Sequence, residues 1–265
     1  MEKKSTAVVK KEEQALALMQ QEMAADAGQG FEEADKDAYA IPFLAILQAN
    51  SPQCKKSEGA YIKGAEEGNL FNTVTSEIFD GEEGLGFVPV HFERRFVEWA
   101  PKDSGGGFKG EYSVAEGQDL LNTTHKNEKG KDVLPNGNEL VDTRYHYGLV
   151  ISNDGVTPAL ITMTSTQLKK SRRWMSIMQG IKIDTPNGQV TAPMFANTYL
   201  LTTTPESNDH GSWMGWKIER GQPVTDMGLY QAAKAFREAI RKGNAKPAAP
   251  VDEAAPTERR DDVDF

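Results

Sequence analysis

The chain predicts a mainly β protein with a few helices, its strands antiparallel and arranged as a barrel or sandwich. Three observations carry this. Runs at 70–75, 86–99, 145–152, 159–164, 195–204 and 213–219 are rich in Val, Ile, Thr and aromatic residues, which suit a pleated, half-buried surface. Turn-forming pairs punctuate them: Asp80-Gly81, Asn136-Gly137, Asp154-Gly155 and Asn187-Gly188. Helical patterns are too sparse to alternate with the strands as βαβ units would.

Residues 1–38 read as a flexible acidic arm. They are polar except for Ala15-Leu16-Ala17-Leu18-Met19, which favours a weak helix over about 12–25 that Gly28 and Gly30 end. The body, 39–243, opens on the dense apolar run Ile41-Pro42-Phe43-Leu44-Ala45-Ile46-Leu47, and Pro52 stops it. Residues 102–142, rich in Gly, Asn and Lys, read as a long loop with a short hairpin. Two helices interrupt the strands. One, amphipathic, spans about 166–179. The other spans about 225–242, with Leu229, Ala232, Ala233, Phe236, Ala239 and Ile240 on one side and Gly243 as its stop. Residues 244–265 read as a disordered Pro/Ala-rich linker with an acidic tip.

Charge is unevenly placed along the 265 residues. Formal net charge is −9, with −4 in residues 1–40 and −3 in residues 244–265, so the body carries only −2. An acidic total of this kind does not exclude nucleic-acid binding, because the acid is concentrated in the ends. The single cysteine, Cys54, excludes a disulfide framework and a multi-cysteine zinc site. No run reaches membrane-spanning length and no signal-peptide stretch follows Met1, so a soluble protein of the cytoplasm is expected.

Two stretches carry candidate chemistry. On the 166–179 helix, about 100° per residue puts Leu168, Ser171, Trp174, Met175 and Met178 on one side. Lys169, Lys170, Arg172 and Arg173 fall opposite. No Asp or Glu appears between Gly155 and Ile183, so Lys182 adds a fifth positive charge without a local partner. Phosphate is the natural counterpart, since each neutralised phosphate releases bound counterions.

The second stretch runs from His91 to Trp99 and on to Tyr112. Strand alternation puts Phe92, Arg94 and Phe96 on one face and Arg95, Val97 and Trp99 on the other. Phe108 and Lys109 follow in the glycine-rich segment after Ser104. Rings interleaved with cations form a platform on which single-strand bases stack while the cations track the backbone. Phe108, Tyr112 and Trp99 are the stacking candidates. Enzyme signatures are missing: Ser104-Gly105-Gly106-Gly107 lacks a Gly-Lys-Ser/Thr ending, and the four histidines have no ligand-like spacing. Neither catalysis nor a cofactor or metal is expected.

The chain closes on Asp261-Asp262-Val263-Asp264-Phe265. Its carboxylates suit a basic rim, its ring an apolar pocket and its terminal carboxylate a bidentate Arg. Such a tip, with a β-rich body and basic-aromatic stretches, resembles the single-stranded DNA-binding proteins of T7-like tailed phages. Bacterial single-stranded DNA-binding proteins are similar, with Pro where this chain has Asp264. Ile41-Pro42-Phe43-Leu44 and Arg95-Phe96-Val97-Glu98-Trp99 also look similar to stretches of tailed-phage proteins.

The resemblance implies an OB-like antiparallel β-barrel that binds single strands of any sequence in phage DNA replication, recombination and repair. It also implies that Asp261, Asp262, Asp264 and Phe265 recruit a polymerase, helicase-primase or nuclease. The tail of 22 residues is long enough for its acidic tip to fold back on the basic groove, so it is expected to compete with DNA there. The resemblance leaves a homodimer open. A structural or host-takeover protein, and a recombination or nuclease subunit, are the rival readings.

Overall fold

The computed structural model describes residues 6–27, 29–30, 40–101, 105–128, 130–153, 155–209 and 211–248. The chain divides into two units, Met1–Tyr39 and Ala40–Phe265. In the first, helix α1 spans Thr6–Ala25, longer than its composition suggests, and Leu16, Leu18, Met19 and Met23 are exposed along it. The acidic tip lies outside the described residues.

The second unit opens with a small antiparallel sheet, β1 (Leu44–Ile46), β2 (Leu70–Asn72) and β3 (Ile78–Phe79). The 41–47 run is therefore a strand with flanks, and Ile41, Phe43, Leu44, Ile46 and Leu47 are all buried. The main sheet has eight strands: β4 (Leu85–Trp99), β5 (Phe108–Tyr112), β6 (His125–Lys126), β7 (Asp132–Val133), β8 (Glu139–Ser152), β9 (Gly155–Met163), β12 (Asn197–Asn208) and β13 (Gly211–Pro223). Its order is β13-β12-β4-β8-β7-β6, with β5 also on β4 and β9 also on β8. Every pairing is antiparallel, and the sheet curls strongly into a half-barrel. A separate hairpin, β10 (Lys182–Thr185) and β11 (Gly188–Thr191), stands outside it.

Strand β8 organises this sheet, pairing with β4 from Glu139 to Ile151 and with β9 from Arg144 to Ser152. Pro89 lies inside β4, where a missing N–H would normally break a ladder. The register shifts between Pro89 and His91, so a bulge accommodates the proline. Gly148 lies across from Pro89, and the closeness of its surroundings explains the glycine. A Cβ there would sit 2.2 Å from the Phe87 ring and 2.6 Å from the Val88 carbonyl oxygen. Gly148→Ala should therefore cost about 1–3 kcal/mol in urea unfolding, as overpacking does. An unchanged unfolding midpoint would show that Phe87 has room to move.

The sheet has two unlike faces. The inner one, covered by α3 (Leu168–Gly180), carries Phe87, Val150, Ile161 and Met163 against Trp174 and Met178. The outer one carries Val88, Val90, Tyr145, Tyr147 and Leu149, covered by α4 (Met227–Arg241) through Ala233, Phe236 and Ile240. That i, i+3, i+7 spacing is one helical face, and Asp226 caps the helix by accepting from the Leu229 N–H at 2.6 Å. Helix α2 (Val114–Leu121) occupies the stretch expected to be loop. A capping box starts it, with Ser113 and Glu116 satisfying each other's backbone N–H groups. Gly117 lets α2 lie directly on Phe96, since a Cβ there would meet the Phe96 ring at 2.2 Å.

Among the described residues no ladder joins β9 to β13, so the barrel is not closed by backbone. Side chains hold the β13 edge instead. The Gln48 amide both accepts from the Met214 N–H (2.8 Å) and donates to the Met214 carbonyl (2.9 Å). Gln167 accepts from the Trp216 N–H at 3.1 Å, and Lys170 donates to the Trp216 carbonyl at 2.5 Å. Such ties satisfy edge groups that would otherwise template further pairing. No helix among the described residues is long and apolar enough to cross a membrane.

Candidate nucleic-acid interface

Helix α3 packs as its periodicity requires, with Ser171, Trp174 and Met178 buried. The buried Ser171 hydroxyl bonds His146 Nε2 at 2.8 Å, and the His146 ring stacks on Trp174 with centroids 4.7 Å apart. Lys169, Arg172 and Arg173 are exposed on the opposite side. Among the described residues none of the three lies within ion-pair distance of a carboxylate.

Lys170 does not join them. It turns toward β12 and β13, pairing with Glu206 as well as with the Trp216 carbonyl. Burial would raise the Glu206 carboxyl, but hydrogen bonds from Lys170, Gln167 and Trp213 outweigh it and hold that carboxyl below the usual range. Lys170 is thus a strut of the barrel wall. Lys182 sits at the base of the β10–β11 hairpin and donates to the Thr191 hydroxyl at 2.6 Å.

Arg94 and Arg95 point to opposite faces of β4, as alternation predicts, and meet different company. On the outer face Arg95 bonds Glu93 at 2.9 Å and lies 3.4 Å from Glu111. His91 bonds Glu93 at 3.2 Å, and the Tyr145 hydroxyl donates to Glu111 at 2.8 Å. The His91 bond, with those from Arg95, lowers the Glu93 carboxyl despite its burial. The network closes on itself, so Arg95 has two carboxylates and no need of an external anion.

The inner face differs. Arg94 is opposite Arg144 of β8 in the ladder, a like-charge pair that would be destabilising alone. Asp142 bridges them: Arg94 forks onto it at 3.0 and 2.8 Å, and Arg144 reaches it at 3.1 Å. Arg94 also lies over the Phe96 ring at 5.0 Å. Burial first, then the nearby charges of Arg94 and Arg172, lowers the Arg144 guanidinium against the opposing pull of Asp142. Three arginines here face one carboxylate.

This polar step is framed by apolar packing along the same face. On one side are Phe92 and His146, under α3. On the other are Phe96 and Leu140, under α2. Phe96 and His146 are 1% and 0% exposed, whereas Arg94 and Asp142 keep 26% and 24% of their side chains open. The strip between the helices is where the inner face is reachable.

The aromatic candidates gather elsewhere. Trp99 is half-buried and meets Phe108 edge-on at 6.0 Å, on the face opposite Arg94. Phe108 is 40% exposed and Lys109 is exposed beside it. The Tyr112 ring packs with Phe96, Leu134 and Leu140, and its hydroxyl donates to Glu98 at 2.5 Å. Asn136 and Asn138 also donate to the buried Glu98, so Tyr112 secures a loop rather than offering a free ring. The structure therefore puts Arg94 beside Arg144 and Asp142, with Arg172 of α3 close enough for its charge to act on Arg144. It keeps Lys169 and Arg173 with Arg172 on the exposed side of α3, and sets Arg95, Trp99, Phe108 and Lys109 apart. Arg144 and Asp142 were not legible beforehand.

A half-barrel with a cation-bearing helix across its inner face is thus the class of body this chain builds. Residues 9–246 match the Pam3 phage gp34-like protein family, and the chain belongs to that family. No curated protein and no solved structure matches it.

Proposed function

We propose that this phage protein binds single-stranded DNA without sequence preference, in support of replication, recombination and repair, and that its acidic tip recruits partner enzymes. The observation that carries this is the exposed trio Lys169, Arg172 and Arg173, without carboxylate partners among the described residues, with Arg172 near enough for its charge to act on Arg144. Strand connectivity supports it. Strands β4, β8 and β9 form a meander, α3 follows, and the β12–β13 hairpin returns to pair with β4. OB folds are likewise five-stranded, partly open antiparallel barrels, which supports the reading.

OB modules bind oligonucleotides on the face of their second and third strands. Here the outer face of β8 and β9 is packed under α4 and Phe43. The binding surface assigned in this reading is therefore α3 and the strip beside it.

The test is fluorescence anisotropy with labelled oligo(dT), a mixed-sequence single strand and a duplex, between 50 and 200 mM salt. The wild type should prefer single strands of either sequence. Combined Lys169→Glu, Arg172→Glu and Arg173→Glu should lower the slope of log K against log salt by about 2, at roughly 0.7 per phosphate. Equal affinity in the triple variant, or metal-dependent cleavage of the oligonucleotide, would defeat the reading.

A further inference from the structure

We infer that Arg94, Arg144 and Asp142 form a seat for one phosphate group, in which Asp142 is a resident counter-ion that the phosphate opposes. The identification of that phosphate as a phosphodiester of single-stranded DNA rests on the function proposed above. The seat itself stands on separate observations.

The first observation is the direct opposition of Arg94 and Arg144 across the β4–β8 ladder. Two guanidinium groups placed so close need an anion between them, and among the described residues Asp142 alone supplies one. The second is incomplete satisfaction. Asp142 accepts Arg94 Nε and Nη2 and one Arg144 Nη2, yet the Arg144 Nε is buried and has no partner among the described residues. Each guanidinium has five N–H donors, so Asp142 leaves most of them free for another acceptor. The third is charge. Arg172 reaches this step from α3 with its field, which helps depress the Arg144 guanidinium, so three cations stand against one carboxylate. A forked guanidinium pair matches a tetrahedral oxyanion in geometry as well as charge.

The fourth observation is access. Arg94 and Asp142 lie in the strip that neither α2 nor α3 covers, and the Arg144 side chain is 16% exposed. A phosphate there would contact Arg94 and Arg144 from the open side, with Arg172 at its flank. Asp142 holds both arginines in place before binding, so little ordering remains to be done on arrival. The same carboxylate repels the incoming anion and keeps the affinity moderate.

A purely structural ion-pair cluster makes the opposite forecast. If Asp142 only ties β4 to β8, then Asp142→Asn loosens the sheet and leaves phosphate affinity unchanged or lower. If it is a counter-ion, the isosteric Asp142→Asn removes a repulsive charge roughly 5 Å from the bound anion. Affinity should then rise about fourfold at low salt.

The experiment uses the full chain as wild type, Asp142→Asn, Arg144→Gln and Arg172→Gln. Oligo(dT) anisotropy is paired with thermal shift in inorganic phosphate against chloride at matched ionic strength. Expected are tighter oligo(dT) binding and a larger phosphate-induced rise in Tm for Asp142→Asn. Both should fall at least threefold in Arg144→Gln. Should Arg144→Gln not fold, the exposed Arg172→Gln provides the loss arm, with a smaller decrease of the same sign.

If oligo(dT) binds but Asp142→Asn is no tighter, the seat is wrong and the single-strand reading stands. If no oligonucleotide binds, yet phosphate stabilises the wild type and stabilises Asp142→Asn more, the seat stands and the DNA reading falls. If neither ligand acts on any variant, both are overturned.

Discussion

Trp174→Ala is expected to cost about 3–5 kcal/mol, the range for removing a buried Phe or Trp. Trp174 is 1% exposed and sits among Phe87 (6.0 Å), Tyr199 (5.5 Å) and His146 (4.7 Å), measured between ring centroids. Its ring thus joins α3 to β4, β8 and β12 at once. The loss would be a large share of the 5–15 kcal/mol that a domain usually has. The functional consequence is indirect. Lys169, Arg172 and Arg173 ride on this helix, so oligonucleotide affinity should fall although no cation has been altered. Urea unfolding and oligo(dT) anisotropy on Trp174→Ala and Trp174→Phe check this, with Phe retaining most of both. A loss below about 1 kcal/mol would mean that α3 is pinned by something other than its indole.

Acidification from pH 7 to 4.5 should destabilise the body through His146. This ring is fully buried, and burial first, with Arg144 second, pushes it from 6.5 down to about 3. In the folded protein it stays unprotonated over that window. In the unfolded chain it takes up a proton below about 6.5, so the unfolded state binds more protons and stability falls as pH falls toward about 3. Each pH unit well inside the window is worth up to about 1.4 kcal/mol, giving a loss of roughly 2–3 kcal/mol by pH 4.5.

The carboxyls of Glu93, Glu98 and Glu206 are also held low in the folded state. Their contribution is fully present above the ordinary 4.5 and is lost as pH falls from there through their folded values, so it adds little over the range from pH 7 to 4.5 in which His146 acts. Urea unfolding of wild type and His146→Phe at pH 7, 5.5 and 4.5 isolates the effect. The variant loses the Ser171 bond and starts lower, but its stability should vary less with pH. An equal slope in both would assign the acid sensitivity elsewhere.

Helices α3 and α4 were legible because their burial follows the 3.6-residue period, which local sequence contains. Ser171, Trp174 and Met178, and then Phe236 and Ile240, are buried where the wheel puts them. Strand β8 begins earlier than its apolar content suggests, at Glu139, because pairing to β4 rather than propensity defines its polar half. Helix α2 is short and contains Gly117, which masked it, although the Ser113-x-x-Glu116 capping signature was present.

The cationic site was half legible. Absence of acid near α3 in sequence says nothing about Glu206, which meets Lys170 from a strand formed later in the chain. Asp142 lies 48 residues from Arg94 and meets it through register alone. Alternation separated Arg94 from Arg95 in advance, but only the register revealed which of the two had spare charge.

The β13 edge has a consequence for the bore of the half-barrel. A wall closed by a ladder has its girth fixed by strand number and stagger. Here Gln48, Gln167 and Lys170 act as separate hooks on Met214 and Trp216. Each can release or lengthen by a change of rotamer while the β12–β13 hairpin keeps its register. The girth of the wall is therefore set at this seam by side chains rather than by a backbone ladder.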